Sequence, residues 1–168
     1  MKQHITKGIN PRGDHLLLEI IFDRSDKQRQ DVVLNISDES GSRQSWYLIF
    51  GTVDNDALSG STGTDIFIGP EGADKFTPLL QAGSKDIIID FKTSQGDKLV
   101  FDTVTTPTNL AEAQEATGLI WRQEKLIDAT SDSNDSNKLD TVFRKDGEVV
   151  LVLEDTGSFD WMVDMEFI

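Results

Sequence analysis

The sequence predicts a mainly β protein, built on a short parallel β-roll with flanking strands and one short helix. Three observations predict it. Residues 51–77 fall into three rows of nine, with glycine, aspartate and apolar residues at fixed places. Runs rich in Ile, Leu, Val, Phe and Trp, bounded by polar or Gly-containing stretches, lie on both sides of those rows. One stretch, Asn109 to Thr117, has the Ala/Glu/Gln make-up of a helix.

Taken in order, residues 1–12 read as a loose lead-in. His15 to Phe22, Asp31 to Ile36 and Trp46 to Phe50 read as strands joined by polar loops. After the rows, Asp86 to Phe91 and Lys98 to Phe101 read as strands, and so does Leu119 to Leu126 beyond the helix. Asp128 to Lys138 reads as a polar loop. Thr141 to Arg144 and Glu148 to Leu153 read as a hairpin around Lys145-Asp146-Gly147. An acidic, aromatic tail runs from Phe159 to Ile168. Three parts follow: an N-terminal β segment (1–50), the roll with its closing strands (51–101) and a C-terminal β cap (102–168). Three strands in the first part bury too little to stand alone, so that segment is expected to pack on the roll.

Composition narrows the function. The chain has 168 residues, enough for one domain with a real core. It has no cysteine, which excludes disulfides and thiolate zinc sites. Thirty acidic residues against sixteen basic ones give a net charge of -14, which argues against nucleic acid as a partner. The same excess is either a solubility device or a store of carboxylates for a hard cation. Leu16 to Phe22, interrupted by Glu19, is too short for a membrane span or a signal-peptide core. The chain is therefore expected either to stay in the cytoplasm or to leave by a route that ignores its N-terminus.

The rows carry the chemistry. Gly51, Gly60 and Gly69 hold the first position, and Asp54, Gly63 and Gly72 the fourth. Asp56, Asp65 and Asp74 hold the sixth, and Leu58, Phe67 and Phe76 the eighth. Chance produces such a pattern on the order of once in 10⁸ sequences of this composition. Glycines at positions one and four are expected to supply positive φ and tight turns. A turn and a three-residue strand then repeat, and two rows make one coil. Leu58 and Phe76 should share one sheet and Phe67 the facing one. Stacked turns should bring Asp56 near Asp74, with carbonyl oxygens turned toward the same gap. A shell of about six oxygens at ~2.3–2.6 Å suits calcium better than magnesium, which keeps its waters and demands a stricter octahedron.

These rows resemble the RTX, or hemolysin-type, repeat Gly-Gly-x-Gly-x-Asp-x-U-x. Asp86-Ile-Ile-Ile-Asp90-Phe91 and Gly96-Asp97-Lys98-Leu99-Val100-Phe101 are similar to the segment that closes the roll in serralysin-type metalloproteases and alginate-epimerase R-modules. A Val/Leu strand followed by an acidic Phe-containing tail resembles the C-termini of type I secretion substrates. The likeness is close over 51–101, loose over 119–168 and absent over 1–50. It implies calcium between a turn and the turn eighteen residues on. The ligands would be carbonyls of Thr52, Asp54, Gly69 and Glu71 with the carboxylates of Asp56 and Asp74. It implies that the last turn, with Pro70, Gly72 and Asp74, is capped by Asp86 and Asp97. The middle turn, with Ser61, Gly63 and Asp65, would need a partner near Gly83, which has no carboxylate, so that site is expected to be weak, hydrated or absent. Asp74 is then expected to matter more than Asp65. Here Thr52, Ser61 and Pro70 replace the second glycine of each repeat, and Pro70 has no N–H to give its turn.

Other motifs carry less. His4 and His15 form no His-Glu-x-x-His pattern. Asp132 to Ser136 starts like an EF-hand loop but lacks its glycine and terminal glutamate, and reads as a solvated loop. Asp86 with Asp90, or Asp164 with Glu166, are carboxylate pairs of the kind acidic chains contain in number. Trp46, Trp121 and Trp161 fit buried aromatics better than a sugar platform. The expectation is a non-catalytic, calcium-binding module that is secreted and folds outside the cell. Its partners are calcium ions and a type I secretion apparatus. The alternative is an adhesive module in which the roll is scaffold and a flanking β surface binds extracellular polysaccharide or a cell surface.

Overall fold

The computed structural model describes residues 2–8, 17–23, 30–37, 43–125 and 139–168. It is mainly β, with strands shared between a nine-stranded and a four-stranded sheet. Strands β1 (Lys2–Gly8), β2 (Leu17–Asp23), β3 (Gln30–Ser37) and β4 (Arg43–Phe50) form an antiparallel meander. From β4 onward the chain alternates between the sheets. β5 (Ala57–Ser59), β7 (Lys75–Thr77) and β9 (Lys98–Phe101) lie parallel in the smaller one. β6 (Thr64–Ile68) and β8 (Asp86–Ile88) run parallel to β4 in the larger one.

After β9 the chain leaves the roll. It passes through helix α1 (Leu110–Thr117), β10 (Ile120–Glu124) and β11 (Asp140–Lys145) before returning as β12 (Glu148–Leu153), parallel to β8. Asp146 and Gly147 both have positive φ, 52° and 87°, as the two-residue β11–β12 hairpin requires. Asn109 caps α1 by accepting the Glu112 N–H at 3.0 Å. The tail forms a one-turn helix α2 (Trp161–Asp164) and strand β13 (Met165–Phe167), parallel to β9.

Each short strand sends one large apolar side chain inward. Ile49, Phe67, Ile88 and Leu153 stand side by side in the larger sheet. Leu58, Phe76, Leu99 and Met165 do so in the smaller one. All of them are buried in one core cluster. Phe67 meets Phe76 edge to face across the sheets, with ring centroids 6.0 Å apart. Burial of each such side chain contributes about 1.5–3 kcal/mol. The roll thus has a fourth coil, β12 with β13, contributed from far along the chain.

The expected division of Leu58, Phe67 and Phe76 between two sheets is what the structure has. Other expectations are corrected. The lead-in contains β1, which has little apolar pattern of its own and is fixed by pairing with β2. The strand at Asp86 stops at Ile88, and residues 89–97 form a turn. The acidic tail expected as part of a separate cap supplies a strand of the roll's last coil, β13. The loop expected at 128–138 and the EF-hand-like stretch lie outside the described residues, as does His15.

Candidate metal centre

The turns leading from the larger sheet to the smaller one end in Asp56, Asp74 and Asp97, each just before its strand. Their backbones lock the stack. Asp74 Oδ1 accepts the Asp56 N–H at 2.8 Å, and Asp97 Oδ1 accepts the Asp74 N–H at 3.0 Å. Turns in the opposite direction repeat the device where Asp86 Oδ1 accepts the Asp65 N–H at 3.0 Å. Each carboxylate ties its own coil to the one before it.

The second carboxylate oxygen is held within its own turn. Asp56 Oδ2 accepts the Thr52 N–H at 2.6 Å, Asp65 Oδ2 the Ser61 N–H at 2.8 Å, and Asp97 Oδ2 the Lys92 N–H at 2.8 Å. At Asp74 the matching residue is Pro70, which has no N–H to give. Asp74 Oδ2 is buried and has no hydrogen-bond partner, and neither has Asp86 Oδ2. Buried polar atoms of this kind are uncommon and call for a ligand or a proton.

Electrostatics follow. Burial, reinforced by the charges of Asp97, Asp56 and Asp90, raises the Asp74 pKa to about 6. Burial, with Asp65 beside it, raises that of Asp86 to about 7. Asp97 is also raised by burial and by Asp90, with the Lys92 charge pulling the other way.

The glycines divide their work differently from the expectation. Within the rows, only the fourth-position Gly63 and Gly72 have positive φ, 108° and 106°. The first-position glycines leave room for the aspartate that folds back over them. A Cβ on Gly51 would stand 3.0 Å from Asp56 Oδ2, and one on Gly69 would collide with Asp74 Oδ2. A Cβ on Gly72 would lie 2.6 Å from the Asp54 carbonyl oxygen, so successive turns touch there.

The structure gathers Thr52, Asp54, Asp56, Gly69, Pro70, Glu71, Gly72, Asp74 and Asp97 in the stacked turns of one series. It places Ser61, Gly63, Asp65 and Asp86 in the other series. Asp86 is a correction: it does not cap the turn of Asp74 but accepts from Asp65. The expected partner near Gly83 is displaced because the third coil has a longer turn. Phe67 pairs with Ile88, so the offset there is 21 rather than 18, and Asp65–Asp86 shares it. Asp90, in the turn that ends in Asp97, accepts the Gly69 N–H at 2.9 Å through Oδ1 with the same offset of 21, a role that a nine-residue period does not reveal. Counting from the inward residues instead of from the row length would have found both.

All the donors here are oxygens, which fits a hard cation. Among the described residues no three His, Cys, Asp or Glu side chains converge closely enough to hold a metal by themselves. Backbone carbonyls would have to complete any shell. Trp121 and Trp161 pack on the core. Glu166 pairs with Lys75 at 2.8 Å, while Asp164 accepts the Asp160 N–H. No described helix is long and apolar enough to cross a membrane. Comparison with protein-family models, curated proteins and solved structures gives no match to this chain.

Proposed function

We propose that this chain is a non-catalytic calcium-binding module whose folding and stability the cation drives, acting outside the cell after type I export. One observation carries the reading: Asp74 Oδ2, buried without a donor, in a stack where the charged groups acting on Asp74 are Asp97, Asp56 and Asp90. A divalent cation supplies positive charge and a site for oxygen ligands. The Asp56 and Asp74 carboxylates would hold it, with carbonyls of Thr52, Asp54, Gly69 and Glu71. Without it, like charges on adjacent turns oppose closure of the roll. With it, binding free energy becomes folding free energy. That coupling suits a chain that crosses a channel unfolded and meets millimolar calcium outside.

The test is circular dichroism and thermal melting of the full chain in chelator and in millimolar calcium. A rise of the melting temperature by 10 °C or more is the order expected for a structural site filled far above its Kd. Identical melts in the two conditions would end the reading. Because Met165 belongs to the core, cutting off the tail unseals the roll as well as removing any signal. Export is therefore read on the full-length chain, and retention in a host with a type I apparatus counts against it.

What supports the adhesive alternative is a groove of about 450 Å³ on the flanking β surface, lined by Gly118, Ile120, Arg122, Glu124 and Arg144 among others. Polysaccharide binding that survives Asp74→Asn would favour that alternative.

A further inference from the structure

The gaps between stacked turns are not equivalent. The lower gap lies between the turn ending in Asp56 and the turn ending in Asp74. It is crossed by the Asp56 N–H to Asp74 Oδ1 bond and by the Ala73 N–H, which donates to Asn55 Oδ1 at 2.8 Å. The upper gap lies between the turns of Asp74 and Asp97. It is crossed by two similar bonds, Asp74 N–H to Asp97 Oδ1 and Gly69 N–H to Asp90 Oδ1. A cation also reaches across its solvent edge, from the exposed Lys92. Lys92 Nζ donates to the Pro70 carbonyl at 3.2 Å, while the Lys92 backbone N–H donates to Asp97 Oδ2. Lys92 thus belongs to one wall of the gap, and its ammonium bonds to the other.

We propose that the ammonium of Lys92 is a built-in counter-ion of the upper gap, so that on this side of the roll a divalent cation exchanges only in the lower gap, between Asp56 and Asp74. The second half rests on the calcium reading above. The first half does not. An ammonium is a compact point charge with three donors, and carbonyl and carboxylate oxygens satisfy it as they would a metal. A divalent cation using the same Pro70 carbonyl, beside the Asp97 carboxylate whose ionised form the Lys92 charge favours, would sit within a few ångströms of the ammonium, and like charges at that distance exclude one another. The next gap repeats the arrangement in reverse, where Lys98 Nζ donates to the Val163 carbonyl and its charge favours ionised Asp164. In both gaps the lysine comes from a segment beyond the nonapeptide rows.

The experiment is calcium titration calorimetry on the full chain, comparing the parent with Lys92→Met and with Lys145→Met, an exposed lysine outside the stack. The expected result is one more calcium ion bound per chain in Lys92→Met than in either of the others. A folded Lys92→Met with the parent's stoichiometry overturns the proposal. If neither parent nor variant binds calcium, the calcium reading falls and takes the second half with it. The counter-ion is then decided in chelator by a double-mutant cycle with Asp97→Asn, which keeps the side-chain shape. Lys92→Met should lower the melting temperature of the parent but at most half as much in the Asp97→Asn background. Equal losses in the two backgrounds overturn the counter-ion as well.

Discussion

Between Gly51 and Thr77 the roll advances in equal steps, whereas from Asp86 onward the same two columns are filled by unequal ones. Leu58 and Phe76 are paired 18 residues apart, Phe67 and Ile88 are 21 apart, and Phe76 and Leu99 are 23 apart. The last coil arrives only after a helix and two strands have intervened. The aspartate hydrogen bonds keep pace, with offsets of 18, 21 and 23. What is constant is the pair formed by an inward apolar residue and an aspartate that ties the turn to the coil before. Row length is not constant, because extra turn residues protrude into solvent and cost only modest loop entropy.

The largest effect should test whether the regular and irregular coils share one core. Phe76→Ala and Leu99→Ala remove buried neighbours in the same column, and each should cost about 2–5 kcal/mol in urea unfolding. A loss below about 1 kcal/mol at Leu99 would break the equivalence.

A smaller effect separates the two turn series by pH. Asp74 and Asp86 have folded pKa values of about 6 and about 7 against an ordinary 3.8, so the folded chain holds protons that the unfolded chain has lost. Their contribution is fully present below about pH 4 and is lost as the pH rises through about 6 to 7. In chelator, melting temperature relative to the Asn variants should fall over that window, later for Asp86 than for Asp74. Coincident profiles for Asp74→Asn and Asp86→Asn would show that the two series do not differ.

The smallest effect concerns a single proton donor. Pro70→Ser should return the N–H that Ser61 supplies in the neighbouring row at 2.8 Å. A hydrogen bond of about 1 kcal/mol is nearly offset by the lost rigidity of proline, about 0.4–1 kcal/mol, so the melting temperature moves little. The Asp74 pKa should fall, as read by carboxyl NMR. An unmoved value would mean that this turn differs from its neighbours in more than its proline.

The sequence by itself determined the rows, their division between two sheets, the sixth-position aspartates, and the later helix and hairpin. These are legible because their causes are local: a period of nine, a capping asparagine, an Asp-Gly turn. Only the tertiary structure decided that Lys2–Gly8 is a strand, that Leu153 and Met165 complete the columns, and that Asp86 serves Asp65. The first depends on antiparallel pairing with the next strand, and the others on parallel pairing or hydrogen bonds between segments whose separation in sequence is arbitrary. The register is set by which apolar side chain fills the next place in the core, and no local spacing encodes that choice.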